Sequence, residues 1–565
     1  SPANDFPVNA IIIAEAAVSQ RVAEELTRIE ASRREAFNGF WNERRPDPVE
    51  ATEASLDERR RGYVVAEAHC SMDLTPWAQP SPEDSRSAIE LFATPDQQEQ
   101  ASFAVYALRD LEEVSFTVSE LRGANGAALP ASTLQPGLVQ FGPWKSGTQE
   151  YSLKECLVLP LRPTFIGKGT CKRFWLVLRT PSDAEPGVYS GTIEISAANA
   201  PSAELGLRVR IVPIHLDEPP FERYMYFGTM YYLGKAYLPA FDSDRYWEAM
   251  RTEVRFMKDN EHCRAQCTLP TGSGFKMEDG KIVDVDLSDT ARLMEIIDEE
   301  HARPRDNTMI CQTGILNTLL GGHFSRPDSP GVEFIPTAEG RENLIRAVRL
   351  VDQKAKQEGW PEVAFEMLGE FTNFGEAGAR MAVQVHEAFR EAGVSNTLRG
   401  NGICDMAAIE KNLVLYPQPN WAMMRTDWFR TIKQNSKRVW AYNFARGRFA
   451  MGWFCFRHGI TRASYESGVY ANGQPGNQFD IDTMFPMGLP TSMTSIAPTV
   501  WLKRLVQGAV DYKYLYTLDR LIGEGEKSGN PEAVKAAREA REWLNEKLAV
   551  LPDGVDYMVG DPRVD

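Results

Sequence analysis

From residue 63 to residue 215 apolar and polar positions alternate in short runs broken by Pro, Gly, Ser and Asp. Leu205, Leu207, Val209 and Ile211 share one face against Glu204, Arg208 and Arg210 on the other, and Phe103, Val105 and Ala107, then Phe116 and Val118, repeat the period of two. That period puts successive side chains on opposite faces of a strand, so residues 63–215 are expected to form a β-sandwich with one wet face. Upstream, residues 1–62 read as a helical segment: Ile11 to Val18 leads into Glu25 to Glu30 and a charged run ending at Arg61, a solvated helix face.

After the linker Pro213 to Pro220 the period lengthens, and strand-like runs alternate with helical stripes. Trp247, Met250, Val254 and Met257 mark one helix. Leu293, Ile296 and Ile297 mark a second, capped by Ser288 or Asp289. Leu344, Val348, Val351 and Ala355 mark a third, and Met381, Val385, Ala388, Phe389 and Ala392 a fourth. The runs between them are Tyr224 to Phe227, His262 to Cys267, Thr308 to Gln312, Val363 to Leu368, Asn396 to Arg399, Leu413 to Tyr416, Arg438 to Asn443 and Arg462 to Tyr465. Eight strands separated by helices over residues 216–470 predict a (β/α)8 TIM-type barrel. Residues 471–565 then form a loop rich in Gly, Pro and Asn, followed by helices at Trp501 to Leu521 and Pro531 to Leu551 packing on the barrel. The fold class expected is multidomain: a β-sandwich followed by the barrel, with extra N-terminal helices and a C-terminal helical extension.

In such barrels the chemistry sits where the strands end. The stretch Trp360-Pro-Glu-Val-Ala-Phe-Glu-Met-Leu-Gly-Glu-Phe-Thr-Asn373 reads as a buried fourth strand ending in a carboxylate, with Gly369 allowing a ligand close to Glu370. Glu366 shares its parity and is read as a buried ion-pair member. The other strand ends offer Tyr226, Gln266, Gln312, Arg399 and Asn401, Tyr416, Tyr442 and Asn443, then Tyr465 and Glu466, with Asn373, Tyr231, Tyr232, Trp421 and Trp440 nearby. Aromatic faces beside amide and guanidinium donors suit a sugar, whose C–H faces stack while its hydroxyls take paired hydrogen bonds.

Composition narrows the alternatives. The 565 residues carry a net charge of −16 with no basic run interleaved with aromatics, so no nucleic-acid partner is expected. No stretch approaches the roughly 18 apolar residues of a membrane span, and the start Ser1-Pro-Ala-Asn-Asp is not a signal peptide. The eight cysteines are scattered without a C-x-x-C pair. Cys263 and Cys267, about 13 Å apart in an extended strand, are too far apart for a mutual disulfide. Seven dispersed histidines, with no H-x-x-x-H, no G-x-S-x-G and no complete G-x-G-x-x-G, remove the usual support for zinc hydrolases, serine hydrolases and dinucleotide enzymes. No cofactor or metal is called for. Asp284, Asp286 and Asp289 are close in sequence, but the surrounding Asp-Gly turn reads as a hairpin rather than a calcium loop.

Three passages together resemble glycoside hydrolase family 123 and its uncharacterised relatives. The first is Phe174-Trp-Leu-Val-Leu-Arg-Thr-Pro-Ser-Asp-Ala-Glu-Pro-Gly-Val-Tyr-Ser-Gly-Thr-Ile-Glu-Ile195, the second is the strand ending in Glu370, and the third is Trp501-Leu-Lys-Arg-Leu-Val-Gln-Gly-Ala-Val-Asp-Tyr-Lys-Tyr-Leu515. The resemblance implies a sandwich followed by a barrel and a β-N-acetylgalactosaminidase activity. In that family an adjacent Asp-Glu pair supplies the acid/base and a residue orienting the substrate's acetamido group, which acts as nucleophile. Glu370 matches the Glu; the position of the Asp is Gly369, which cannot stabilise the charge that develops there.

The sequence therefore points to a glycoside hydrolase, exo-acting on a polysaccharide or glycan, with Glu370 as general acid/base and Glu466 as second carboxylate; Asp405 and Asp427 are lesser candidates. The alternatives are a hexosaminidase with a displaced orienting residue, a non-catalytic carbohydrate-binding protein on the same fold, and a polysaccharide lyase. A glycan substrate makes the periplasm or the extracellular space the expected location. Monomer and homo-oligomer are both open.

Overall fold

The computed structural model describes residues 25, 28, 31, 32, 35, 42–45, 54–80, 88–124, 126–145, 149–227, 243–262, 266–268, 274–312, 337–366, 375–400, 406–420, 423–425, 427–436, 438–443, 447–467, 487–492 and 495–551. The chain divides into two compact units, one made of residues 1–215 with 469–489 and 497–500, the other of 216–468, 490–496 and 501–565.

The first unit holds two sheets. One has six strands in the order Asn42–Glu43, Glu150–Pro160, Leu134–Lys145, Cys171–Arg179, Gln98–Ala107, Tyr63–Glu67. The other has the path Thr164–Ile166, Leu111–Val118, Gly187–Ala197, Ala200–Ile211, Ala88–Ala93, with Leu121–Gly123 and Ala128–Leu129 beside it. Both contribute to a single apolar cluster: Phe103, Val105, Phe174 and Leu176 from the first sheet, and Phe116, Ile193 and the expected row Leu205, Leu207, Val209 and Ile211 from the second. Phe103, Phe116 and Phe174 pack ring on ring with centroids 5.2–5.6 Å apart. Each such side chain, wholly removed from water, contributes about 1.5–3 kcal/mol.

Before residue 62 the described residues Glu25, Arg28, Ala31, Ser32 and Glu35 are helical as expected, but the segment is interrupted. Asn42–Glu43 is a short strand pairing in parallel with Glu150 and Tyr151. A helix does stand at Leu56–Arg61, where Ser55 accepts from the Glu58 amide and Glu58 returns the bond, closing a capping box.

Among the described residues of the second unit are the strands β1 Glu222–Phe227, β2 Gln266–Thr268, β3 Thr308–Gln312, β4 Glu362–Glu366, β5 Ser395–Gly400, β6 Tyr416–Pro419, β7 Val439–Tyr442 and β8 Ile460–Ser467, each parallel to its sheet neighbours. They form one sheet in the order β2-β3-β4-β5-β6 and another in the order β1-β8-β7. Helices α1 Ser243–Asp259, α2 Ser288–Glu299, α3 Ala338–Gln357 and α4 Gly375–Ala392 bury their apolar stripes, including Met250, Val254, Leu293, Ile297, Leu344, Val348, Met381 and Val385. The helix α5 Val500–Glu526 is followed by α6 Pro531–Ala549.

Two local expectations shift. The sixth strand begins at Tyr416, not at Leu413; Pro417 and Pro419 lie inside it, where β6 has a hydrogen-bonded neighbour on one side only. Helix α2 has no side-chain cap from Ser288 or Asp289; Asp286 accepts the Ser288 amide instead, at 2.9 Å. The Asp-Gly turn does form a hairpin. Phe275–Glu278 and Lys281–Val285 are joined by Asp279 (φ 47°) and Gly280 (φ 75°), the left-handed pair a two-residue primed turn requires. Asn343 on α3 holds it by bonding both the Gly280 carbonyl and the Ile282 amide.

His386 on α4 is wholly buried, with its ring edge-on to Phe389, and neither ring nitrogen has a hydrogen-bond partner among the described residues. Burial pushes its pKa from 6.5 down to about 3. Between those values the unfolded chain binds the proton and the folded chain does not, so stability falls as pH drops from 6.5 towards 3. Replacing it by Leu removes both the orphaned nitrogens and this proton uptake. His386→Leu is expected to stabilise the second unit by about 1–2 kcal/mol at pH 8 and by more at pH 5, read from urea unfolding at the two pH values. Equal gains at both pH values would assign the effect to packing alone.

Candidate functional site

Alternation along the parallel strands sorts their side chains into an inner and an outer set. Glu362, Ala364 and Glu366 of β4 share one face, as do Thr397 and Arg399 of β5, Tyr416 and Gln418 of β6, Trp440 and Tyr442 of β7, and Arg462 and Ser464 of β8. Contacts between the two sheets run through these residues, so both sheets face one common interior.

Near the strand starts this interior is filled by a stack of rings and cations. Arg462 is fully buried and lies 4.5 Å from the centre of the Trp440 ring and 5.3 Å from that of Tyr224. Its Nε and Nη2 donate to Asp306 at 2.7 and 2.5 Å, and Nη2 also to the Thr308 carbonyl. Trp440 is stacked on Tyr416 with centroids 4.3 Å apart, and the Tyr416 hydroxyl accepts from Arg438 at 2.8 Å and donates to Glu362 at 3.2 Å. One level higher, Ser464 Oγ donates to Gln418 Oε1 at 2.9 Å and Gln418 Nε2 to Thr397 Oγ1 at 2.5 Å.

At the strand ends the floor of the candidate site is built from three residues. Arg399 Nε donates to Glu366 Oε1 at 2.5 Å, and Arg399 Nη1 donates to the Tyr442 hydroxyl at 3.2 Å. The guanidinium carbon lies 5.1 Å from the centre of the Tyr442 ring. The Glu366 side chain is 0% exposed and that of Arg399 13%, so this is a charge pair largely removed from water. Glu366 is thus the buried ion-pair member its parity suggested. Asn443, immediately after β7, takes φ 40° and donates its amide to the Ser464 carbonyl, turning the chain sharply at the end of β7. Farther along, Arg448 makes a bidentate pair with Asp511 on α5 at 2.7 and 2.8 Å. Burial raises the Asp511 pKa, and Arg448 pulls against it. Gly508 permits this approach: a Cβ there would lie 2.5 Å from the Arg448 carbonyl oxygen.

The opposite end of the strands carries an ion network. Arg223 and Arg305 reach Glu261 at 2.9 and 2.7 Å, and Lys513 reaches Glu218 at 2.6 Å and Glu261 at 3.3 Å. Burial alone would raise the Glu261 carboxyl, but Lys513, Arg223 and Arg305 hold it at about 2. Two open pockets of roughly 690 and 790 Å³ lie by the hairpin and α3, and below β4–β6. Their main polar side chains are already engaged: Lys354 pairs with Asp284, Asp286 holds the Ser288 amide, and Arg438 bonds Tyr416. Among the described residues no cluster of His, Cys, Asp and Glu could hold a metal.

Arg399, Tyr442 and Asn443 are therefore brought to the same end of the strands. Tyr465 is not: it alternates with Arg462 and Ser464 and is buried on the outer face, behind the interior rather than in it. Tyr416 and Trp440 belong to the lower interior, not to the mouth. Asp427 is 87% exposed and pairs with Arg430, a solvated first-turn residue. Glu370, Asn373, Asn401, Asp405, Trp421, Tyr231 and Tyr232 lie outside the described residues, and Tyr226, Gln266, Gln312 and Glu466 are described as strand backbone only. Sequence reasoning missed the Thr397–Gln418–Ser464 chain and the Arg462–Asp306 pair. A signal for the pair was present in β8, where Arg462 and Ser464 alternate with the apolar Ala463 and Tyr465.

No family model matches this sequence, and no curated protein does. Among solved structures the protein is similar to a family 123 glycoside hydrolase from Clostridium perfringens, described for glycolipid glycan hydrolysis, with a TM-score of 0.63 at 10% identity over 86% of this chain and 98% of that one. At that identity the likeness shows the fold alone. A GH5 xyloglucanase from Bacteroides ovatus, solved with a XXXG heptasaccharide, matches 74% of this chain and 98% of its own at 7% identity, but its TM-score of 0.30 carries no argument.

Proposed function

We propose that this protein is a glycoside hydrolase, exo-acting on a polysaccharide or glycan, in which strands β1 to β8 close into a (β/α)8 barrel and the other unit is a β-sandwich. The observation that carries the reading is the fold likeness to a family 123 glycoside hydrolase, taken with a polar, aromatic floor of Glu366, Arg399 and Tyr442 where such enzymes keep their chemistry. Glu370, the next carboxylate beyond β4 in the sequence, is the proton donor in this reading. Glu466 is the second carboxylate: it shares the parity of Arg462 and Ser464, and the backbone register sets it level with Tyr226, between the pairs Met225–Tyr465 and Phe227–Ser467.

In the proposed reaction a sugar stacks on aromatic faces and takes hydrogen bonds from Arg399, Tyr442, Asn443, Asn373, Asn401 and Gln312. Glu370 gives its proton to the leaving oxygen while positive charge grows at the anomeric carbon. As the bond breaks, Glu466 either attacks the anomeric carbon, at a carboxylate separation of about 5 Å, forming a glycosyl-enzyme that water then hydrolyses with Glu370 as base, or takes the proton of an attacking water at about 6.5–9.5 Å. With Gly369 in place of an orienting Asp, assistance by the substrate's own acetamido group needs that role filled by another residue.

The test is a panel of aryl glycosides and natural oligosaccharides. The expected outcome is release of a reducing monosaccharide without ultraviolet-absorbing product. Unsaturated products would replace this reading by a lyase, and saturable saccharide binding without turnover would make the protein a carbohydrate-binding module.

A further inference from the structure

The geometry points to Glu366 as a specificity-determining residue: by pairing with Arg399 it cancels that cation's charge within the floor, so that uncharged sugars are accepted and uronic acids rejected. This rests on the glycosidase reading and names the substrate class of the same site.

A guanidinium alone at the end of β5 would be a receptor for a carboxylate, since its planar fork matches one in two parallel hydrogen bonds. Here the fork is already committed. Its Nε meets Glu366 at 2.5 Å, one Nη meets the Tyr442 hydroxyl at 3.2 Å, and its face lies toward the Tyr442 ring. A carboxylated sugar reaching this floor loses its hydration, and the pull of Arg399 on it is cancelled by Glu366, which is shielded completely from water. A neutral sugar loses no charge hydration, and its hydroxyls meet the same polar groups. Chain charge acts the same way at longer range, for the protein is −16 overall.

Removing the negative member while keeping its shape turns the floor from neutral to positive. At an effective dielectric constant of about 20, a carboxylate about 8 Å away then gains a factor of roughly 30 in affinity.

The experiment compares aryl β-glucoside, β-galactoside and β-N-acetylgalactosaminide with the corresponding aryl glucuronide and galacturonide, for the wild type and for Glu366→Gln. The wild type is expected to prefer a neutral member by at least a hundredfold in kcat/KM, and Glu366→Gln to narrow that ratio tenfold or more. Glu366→Gln/Arg399→Gln, neutral again, is expected to restore it. A wild type that accepts a uronide as well as any neutral sugar overturns the proposal whether or not the variants fold, as does a folded Glu366→Gln with an unchanged ratio. If no glycoside of either kind is cleaved, the hydrolase reading fails. The inference is then decided by calorimetric binding of glucose, galactose and N-acetylgalactosamine against glucuronate and galacturonate, where lack of a neutral preference overturns it separately.

Discussion

Glu370→Gln is expected to lower kcat about 10²- to 10⁴-fold on glycosides with poor leaving groups, and far less on dinitrophenyl glycosides. A general acid matters in proportion to the basicity of the oxygen that departs: an alkoxide needs its proton in the transition state, whereas a dinitrophenolate leaves without one. Gln keeps the size and a hydrogen bond but has no proton to give. The same substitution is expected to remove the alkaline limb of the pH profile, since that limb reports loss of the donor proton. The measurement is kcat and kcat/KM across a leaving-group series for wild type and variant. A uniform drop across the series would show that Glu370 shapes the site rather than supplying the proton, and an unchanged rate would take it out of the mechanism.

Arg462→Met is expected to destabilise the second unit by about 3–5 kcal/mol, the cost of leaving a largely buried charge without its partner. Arg462 has no exposed surface and Asp306 is 12% exposed. With the guanidinium gone, Asp306 loses two charged hydrogen bonds, the Thr308 carbonyl loses a donor, and Trp440 loses the cation over its ring. Met fills much of the volume, so the loss reports charge rather than cavity. Urea unfolding followed by tryptophan fluorescence measures it. Asp306→Leu added to Arg462→Met is expected to recover much of the loss, because removing both charges removes the desolvation penalty together with the attraction. A double variant no more stable than the single one would mean that the pair is not the source of the effect.

The strands of the second unit were legible to different degrees. Thr308–Gln312 is found with the expected bounds, and Ser395–Gly400 and Ile460–Ser467 lie over the expected runs. Their signal is local: β-branched or apolar residues bounded by turn chemistry, which acts within a few residues whatever the rest of the chain does. The sixth strand shifted by three residues because its prolines are tolerated only where their missing N–H has no hydrogen-bonded neighbour to serve, and which neighbours a strand bonds is not a local property. The helix α2 cap moved to Asp286 for a related reason, since Ser288 and Asp289 turned out to lie inside the first turn.

The candidate site divides in the same way. That Arg399 and Tyr442 stand at strand ends could be read from two hydrophobic runs and the punctuation after them. That they touch could not, since 43 residues separate them and nothing in either run names the other. Tyr465 and Trp440 were read as mouth residues because both are aromatic and near strand ends. Parity sends the first outward, and its place near the start of β7 sends the second down into the stack with Arg462 and Tyr416.

By itself the sequence determined the alternation of the sheets, the stripes of the helices, the primed hairpin at Asp279-Gly280 and the parity that puts Glu366 on an inner face. All of these follow from backbone geometry acting over a turn or a strand. Only the tertiary structure decided which inner residues meet: Glu366 with Arg399, Gln418 with Ser464, and Arg462 with Asp306, 156 positions away. Those meetings depend on how non-neighbouring strands face one another around one interior, and a charge gains or loses free energy according to the partner it finds there, which no local pattern encodes.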